Sequence, residues 1–454
     1  MLYVLLTLFQ FSCSEPCTTG LDCNSDSTPL QLSVFLGSSL FSSELATTNT
    51  PDHTIVGVSG LGRNWSLDVG ENIMLGLPEL GVALEVPYTQ EQFQNENIVQ
   101  SGTSAQSFGT SVSFISSENT TYTMISAPDY DVNLWKQGAV FMYQDRNSPP
   151  IATVLGSANH EMFGDRIYSC GDTDGDGVEE ALVASSFFGG SLNNDGENPA
   201  LAGRVYLLNS LQLQNSQEHS ATDFVNFLGE STGGRFGHEA NCQNDVSGDG
   251  NIDLVITAPF ADSGTLDASG AIYVLPSQST SLEDATLRLQ GQTSNAWLGW
   301  SIDLGDIDGD KLIDIVGGAP GENNSMGAVY VWKGADLAQG QSNPTIEFRS
   351  TESRIGEKVH VTDLNGDGLD DIIIGEKLGT LPNESQNFTN TGLVHIILGQ
   401  TDLSALDGIQ TVQEANIQIS VNQEKAELGS TIFSGDLDQD NMQDLLFIHN
   451  AAPQ

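Results

Sequence analysis

Residues 306–332 read DIDGDKLIDIVGGAPGENNSMGAVYVW, and this stretch decides the fold. It opens with an acidic loop that carries Asp306, Asp308, Asp310 and Asp314. An apolar run (313–316) follows, then a Gly318-Ala319-Pro320 stop, a polar loop, and the strand-like GAVYVW from Gly327 to Trp332. Upstream lies LGWSIDL (298–304), a further strand of alternating character. The same pieces recur in the same order along most of the chain. Self-similarity of this length decides architecture before any local propensity does.

Each repeat has four strand-like pieces. The first carries Phe-Gly or an equivalent: Phe41-Ser42, Phe108-Gly109, Phe163-Gly164, Phe236-Gly237, Leu298-Gly299, Ile355-Gly356 and Leu428-Gly429. The second is apolar and often stops in a Gly-Ala-Pro variant: 55–58, 124–128, 182–185, 254–259, 313–320, 372–375 and 445–453. The third begins at Gly81, Gly138, Gly203, Gly270, Gly327 and Gly392. The fourth is short, at 151–156, 224–229, 287–291, 346–349 and 417–420. The segment 30–37, LQLSVFLG, precedes the first repeat and reads as an orphan fourth strand that completes the last. The pattern predicts an all-β chain: a seven-bladed β-propeller of four-stranded blades over residues 30–454, closed by its N-terminal strand. One third strand is missing from the seventh blade, which is then either incomplete or cut short.

Five repeats carry an acidic loop between their first and second strands. The ligand positions are Asp172, Asp174, Asp176, Val178 and Glu180; Asp245, Ser247, Asp249, Asn251 and Asp253; Asp306, Asp308, Asp310, Leu312 and Asp314; Asp363, Asn365, Asp367, Leu369 and Asp371; and Asp436, Asp438, Asp440, Met442 and Asp444. Positions 1, 3, 5 and 9 of each nine-residue loop bear a side-chain oxygen, and position 7 offers a backbone carbonyl. A loop that coils tightly brings alternate residues to one point, and Gly309 permits the positive φ such coiling needs. The site is all oxygen and rich in carboxylate, which suits a hard cation that takes many ligands. Ca²⁺ fits better than Mg²⁺, which keeps several waters. Asp-Gly turns without metal are common, but five copies at one position point to a ligand. An EF-hand would need a bidentate Glu at position 12, where this chain has Val183, Ile256, Gly317, Ile374 and Phe447. In the fifth loop Gln439 replaces the glycine of position 4.

Composition excludes one partner class. Asp+Glu number 60 against 14 Lys+Arg, a net charge of −46, and a phosphate backbone needs a basic face. Residues 1–13 read as an export segment with an apolar run too short for a span, and 14–29 as a Cys-containing spacer. Cys13 follows that run as the lipidated cysteine of a bacterial lipoprotein does, and is a candidate lipid anchor. Five cysteines make an odd set. Cys17–Cys23 and Cys170–Cys242 form one economical pairing; small buried apolar residues are the alternative for Cys170 and Cys242.

The ordered motifs resemble the FG-GAP repeat of integrin α-subunit propellers and related bacterial secreted proteins, over about residues 30–454. The resemblance implies a seven-bladed propeller with structural Ca²⁺ in the five loops, on the lower face. It also implies an extracellular or cell-surface protein that binds a protein, cell-surface or glycan ligand. No catalytic constellation stands out, and the seven histidines are scattered. Variable loops on the face opposite calcium (60–80, 129–137, 187–202, 260–269 and 376–391) are the candidate binding surface. Trp65, Trp135 and Trp297 are candidate contacts, with core packing the alternative for Trp297. A propeller hydrolase or lyase, or a sugar-binding propeller, stands as the alternative function.

Overall fold

A computed structural model describes residues 29–35, strand segments within 47–101, and 106–450 apart from 118–119, 146–147, 190–200, 215–216, 352, 380–389, 421–425 and 437–441. The described strands form seven sheets, each built on an antiparallel run of four. The architecture is all-β and of propeller type. In the sheet that opens with Ser301–Gly305, the strands Asp314–Ala319, Ala328–Trp332 and Ile346–Arg349 follow in chain order. Every residue of the second and third of these is buried. Strands covered on both faces read as continuous apolar runs, which is why 313–320 shows no alternation. The cover comes from neighbouring sheets: Val255 and Ile272 pack in one cluster with Ile302 and Ile315.

The phase of the first repeat differs from the sequence reading. Pro29–Phe35 lies third, not fourth, in the sheet that Ile432–Gly435 and Asp444–Asn450 begin, and His53–Ser59 lies fourth. The strand at 55–58 is therefore not the second strand of the first repeat. That repeat's sheet starts at Ser66–Val69 and continues through Ile73–Leu77, Val82–Val86 and Ile98–Ser101, so the reading of 60–80 as one long loop also fails. The physical reason is edge pairing: two N-terminal apolar strands cover the open edge of the last sheet, and no third strand is missing. Phe41-Ser42 and Trp65 lie outside the described residues.

First strands touch first strands from sheet to sheet. Ser66–Val69 meets Val112–Ser117, which meets Arg166–Ser169; Ala240–Asn241 meets Ser301–Gly305, which meets Val359–Thr362; and that strand meets Ile432–Gly435, which returns to Ser66–Val69. Between Arg166–Ser169 and Ala240–Asn241 the link is covalent: Cys170 and Cys242 form a disulfide with their Cα atoms 4.7 Å apart. Cys13, Cys17 and Cys23 lie outside the described residues. Three sheets gain a parallel fifth strand at the outer edge, as where Gly408–Thr411 pairs with Ile346–Arg349. Among the described residues no helix is long and apolar enough to cross a membrane.

The recurring glycines have one job at the sheet boundary. A Cβ on Gly270 (φ +83°) would sit 2.2 Å from the Leu298 carbonyl oxygen and 2.3 Å from its nitrogen. The same near-contact recurs between Gly138 and Phe163, Gly203 and Phe236, Gly327 and Ile355, and Gly392 and Leu428. Across the boundary Leu298 N–H donates to the Ser269 carbonyl at 3.0 Å, and Phe236 N–H to Ala202 at 2.8 Å. The motif's phenylalanine meanwhile packs into its own sheet: Phe163 meets Tyr206 edge-on at 5.2 Å, and Phe236 meets Tyr273 at 5.5 Å. Gly270→Ala adds left-handed strain and an overlap with backbone, so it should cost roughly 2–5 kcal/mol. Gly264→Ala, at φ +61° with open space around it, should cost only about 1–2 kcal/mol. Urea melts of the two variants check the difference; equal losses would contradict the boundary contact.

Candidate metal centre

The four acidic loops described throughout share one hydrogen-bond plan. The carboxylate at position 1 takes the N–H groups of positions 4 and 6. Asp172 accepts from Gly175 (2.7 Å) and Gly177 (2.9 Å), and Asp245 from Gly248 (2.7 Å) and Gly250 (2.7 Å). Asp306 accepts from Gly309 (2.8 Å) and Lys311 (3.0 Å), and Asp363 from Gly366 (2.7 Å) and Gly368 (2.8 Å). Position 5 accepts from the N–H of position 7: Asp176 from Val178, Asp249 from Asn251, Asp310 from Leu312, Asp367 from Leu369. The chain thereby wraps around its own carboxylates, and Gly175 and Gly177 take up the positive φ this needs (80° and 88°).

Position 9 closes each loop from the first residue or edge of a buried strand. Glu180, Asp253, Asp314, Asp371 and Asp444 are at most 1% exposed. One oxygen of each of the first four takes the N–H of position 2: Thr173 (2.7 Å), Val246 (2.9 Å), Ile307 (2.9 Å) and Leu364 (3.1 Å). The other oxygen divides the loops into two kinds. In Asp314 and Asp371 it accepts from Gly334 (2.7 Å) and Gly399 (2.9 Å) of the same sheet. In Glu180 and Asp253 it is buried without a hydrogen-bond partner. A buried carboxylate oxygen left bare is costly, and a cation beside it removes the cost.

Among the described residues two clusters bring three carboxylates together. Asp172, Asp174 and Glu180 each offer an oxygen within 4.8 Å of the others, as do Asp306, Asp308 and Asp314. In the second and fourth loops the third donor is the Ser247 hydroxyl or the Asn365 amide. Burial, with neighbouring Asp174 and Asp176, pushes Glu180 up to about 7. Burial, with Asp308 and Asp310, does the same to Asp314, and burial, with Asp367 and Asp363, to Asp371, each to about 7. Asp253 is raised by burial too. These residues fit a hard divalent cation: an all-oxygen set, a repelling cluster of acids, and in two loops an unmet buried oxygen. Of the fifth loop, Asp438 and Asp440 lie outside the described residues, while Asp436, Met442 and Asp444 are described.

Sequence reasoning missed the partners supplied from other segments. Asn209 donates to Asp174 at 2.6 Å, from the residue just after the third strand. Gly334 and Gly399 lie one residue further on, the second after the third strands of their own sheets. Asp370, at position 8 of the fourth loop, accepts from Asp306 N–H at 2.8 Å and so ties two loops together. No shared residue type marked these partners in the sequence: the third strands are followed by residues as different as Asn209, Lys333 and Leu398.

The FG-GAP-like repeat family matches residues 306–374, and the FG-GAP repeat matches 356–397. These matches, with the integrin alpha relatives, support an FG-GAP, integrin alpha-like assignment. The chain is 25% identical over 376 residues to integrin alpha-5 of Xenopus laevis, covering 76% of itself and 34% of that protein. It is 33% identical over 165 residues to integrin alpha-D of Homo sapiens, covering 33% and 14%. It is 28% identical over 221 residues to the phosphatidylinositol-glycan-specific phospholipase D of Dictyostelium discoideum, covering 41% and 22%. The chain thus spans about a third or less of the length of these relatives. A solved structure, the Dos1 propeller, aligns with a TM-score of 0.38 at 12% identity, over 70% of this chain and 65% of that one.

The raised carboxyls fix the sign of a pH effect. Without a cation, Glu180, Asp314 and Asp371 hold protons in the folded chain up to about pH 7. Unfolded, they release them near 4. The folded state therefore binds more protons between these limits, and stability falls as pH rises. In chelator the melting temperature should drop from pH 5 to pH 7.5, and Glu180→Gln should flatten part of that drop. In millimolar Ca²⁺ the same variant should melt below wild type. A Glu180→Gln melt unaffected by calcium would remove Glu180 from the site.

Proposed function

We propose that the chain is an extracellular, seven-bladed β-propeller that binds protein partners as an adhesion module. In this reading Ca²⁺ pins the acidic loops on one face, and the opposite face carries the ligand. Ring closure rests on the run of first-strand contacts and on the pairing of Pro29–Phe35 with Asp444–Asn450. Calcium rests on the bare oxygens of Glu180 and Asp253 and on the repeated loop plan. Placement outside the cell rests on the Cys170–Cys242 disulfide, a bond of oxidising compartments. The integrin relatives make adhesion the nearest biological reading, carried here as a proposal because the chain matches only part of their length.

The observation that carries the binding face is an exposed tryptophan on a held loop. Trp135 is 57% exposed and Val132 55%, in the segment between the second and third strands of its sheet, at the end away from the acidic loops. The loop is fixed from within: Gln137 Oε1 accepts from Leu134 N–H at 2.8 Å, and Asn159 Oδ1 from Trp135 N–H at 3.0 Å. His160 stands edge-on to the Trp135 ring at 4.2 Å. At the same end Phe260, Trp297 and Trp300 pack together with centroids about 6 Å apart, near 5.9, 6.0 and 5.9 Å, and Arg235 lies over Phe260 at 5.1 Å. Rigid aromatic and arginine groups are what protein-binding hot spots use. The net charge of −46 favours a basic partner surface.

Immobilised protein tested with cultured cells separates the readings. Cell capture should require calcium, disappear after trypsin treatment of the cells, and fall at least tenfold with Trp135→Ala. Capture that survives trypsin, with hits on a glycan array, would favour a sugar ligand instead. Capture unchanged by Trp135→Ala would remove this face from the account.

A further inference from the structure

Three consecutive sheets place polar residues at one repeat position of their first strands. Asn241, Asp303 and His360 each lie four residues beyond the motif glycines Gly237, Gly299 and Gly356. Their side chains meet across the sheet boundaries. Asp303 accepts from Asn241 Nδ2 at 3.3 Å, from Leu304 N–H at 2.9 Å and from Val361 N–H at 3.0 Å. Its remaining partner is His360 Nδ1, at 2.7 Å. On the other side His360 Nε2 lies 2.8 Å from Ser434 Oγ, in the next sheet. The three groups that could react are separated by 57 and 74 residues in sequence and come from three different sheets. None is an acidic-loop ligand.

The order of contacts matters chemically. A carboxylate holding the Nδ1 proton leaves Nε2 as the lone-pair side of the ring, and that side faces a hydroxyl. This is the arrangement that activates serine for acyl transfer, and it is recognised by geometry rather than by chain order. Asp303 is well satisfied, with four donors on its two oxygens, so it stays ionised and holds the ring in place. His360 and Asp303 are 19% and 18% exposed at their side chains, and Ser434 is half-buried, so the group borders solvent. Ser434 also occupies the repeat position of Val361, one residue beyond that of His360. The Val361 N–H leaves its own sheet to cross to Asp303. Ser434 pairs with Leu445 as Val361 pairs with Ile372, and if its N–H follows this equivalence it is the donor available to an oxyanion.

We propose that Ser434, His360 and Asp303 form a nucleophilic site for small carboxylic esters, where the first strands of three sheets converge. Ser434 Oγ bonds to the ester carbonyl carbon as its proton passes to His360 Nε2. The carbonyl electron pair moves to oxygen and returns as the bond to the alkoxy group breaks, and His360 gives its proton to the departing alcohol. Water repeats the sequence on the acyl-serine and releases the acid. The balance is ester plus water to acid plus alcohol, with no further reactant. Asp303 acts as a positioning residue.

The test is a fluorophosphonate probe on the full chain in calcium buffer, with the modified peptide located by mass spectrometry. In the probe reaction an Oγ–P bond forms as fluoride leaves. Ser434 should be modified in the folded protein and at least 100-fold more slowly in the urea-unfolded chain. His360→Gln should slow the reaction at least 100-fold, in the range a general base contributes. Asp303→Asn should slow it at least tenfold and remove the low-field proton resonance of His360 Nδ1–H, a signal that a packing role alone would not supply. An unmodified Ser434 in folded wild type, or equal modification in the unfolded chain, would overturn the proposal. That comparison uses wild type alone and stands even where a variant fails to fold.

Discussion

The close approach of backbone to backbone between sheets is the constraint on which the rest depends. Where Gly270 meets Leu298 there is no room for a side chain, and the same holds at four further boundaries. Two sheets can come this near only if one strand gives up its Cβ, and the N–H groups freed at the motif are then met by carbonyls of the neighbour. The contact sets each sheet's position relative to the next. It also fixes the direction of the first strand, and so puts the acidic loops at one end of the sheets and the Trp135 and Trp297 segments at the other. Burial of both faces of the inner strands follows from that spacing.

The acidic loops answer a different problem, which is charge. Asp+Glu exceed Lys+Arg by 46, and 18 of the carboxylates fall at loop ligand positions. Wrapping N–H groups around Asp172, Asp245, Asp306 and Asp363 disperses part of the repulsion but leaves position 9 buried beside its neighbours. Burial and the neighbouring carboxylates that remain raise the pKa values of Glu180, Asp314 and Asp371. A divalent cation would remove it, and at free calcium tenfold above Kd one such site adds about 1.4 kcal/mol. The loops touch one another through Asp370 and Asp306, so ordering one helps to order the next.

Much of this was legible in the sequence because the repeat is punctuated by residues with a single physical purpose. The glycine-led third strands and the five fourth strands from 151–156 to 417–420 fell within a residue or two of their observed bounds; the observed Ile346–Arg349 and Ile417–Ser420 match 346–349 and 417–420. Cys170 and Cys242 were readable as a pair because they end equivalent strands. The first repeat was misphased for the converse reason. It has no acidic loop and no intact Phe-Gly, so nothing marked 55–58 as belonging to the last sheet. The meeting of His360 with Asp303 and Ser434 was not legible as a contact. Repeat alignment puts Asn241, Asp303 and His360 at one position, but only the packing of sheet on sheet shows that they touch.

The central claim is that the acidic loops hold calcium and that the fold leans on it. Isothermal calorimetry on the chelator-stripped chain, with melts recorded alongside, tests it most directly. The account predicts about five equivalents of Ca²⁺ bound, and a melting temperature that rises as the sites fill. No heat of binding and an unchanged melt at millimolar calcium would contradict it and leave the loops as turns alone.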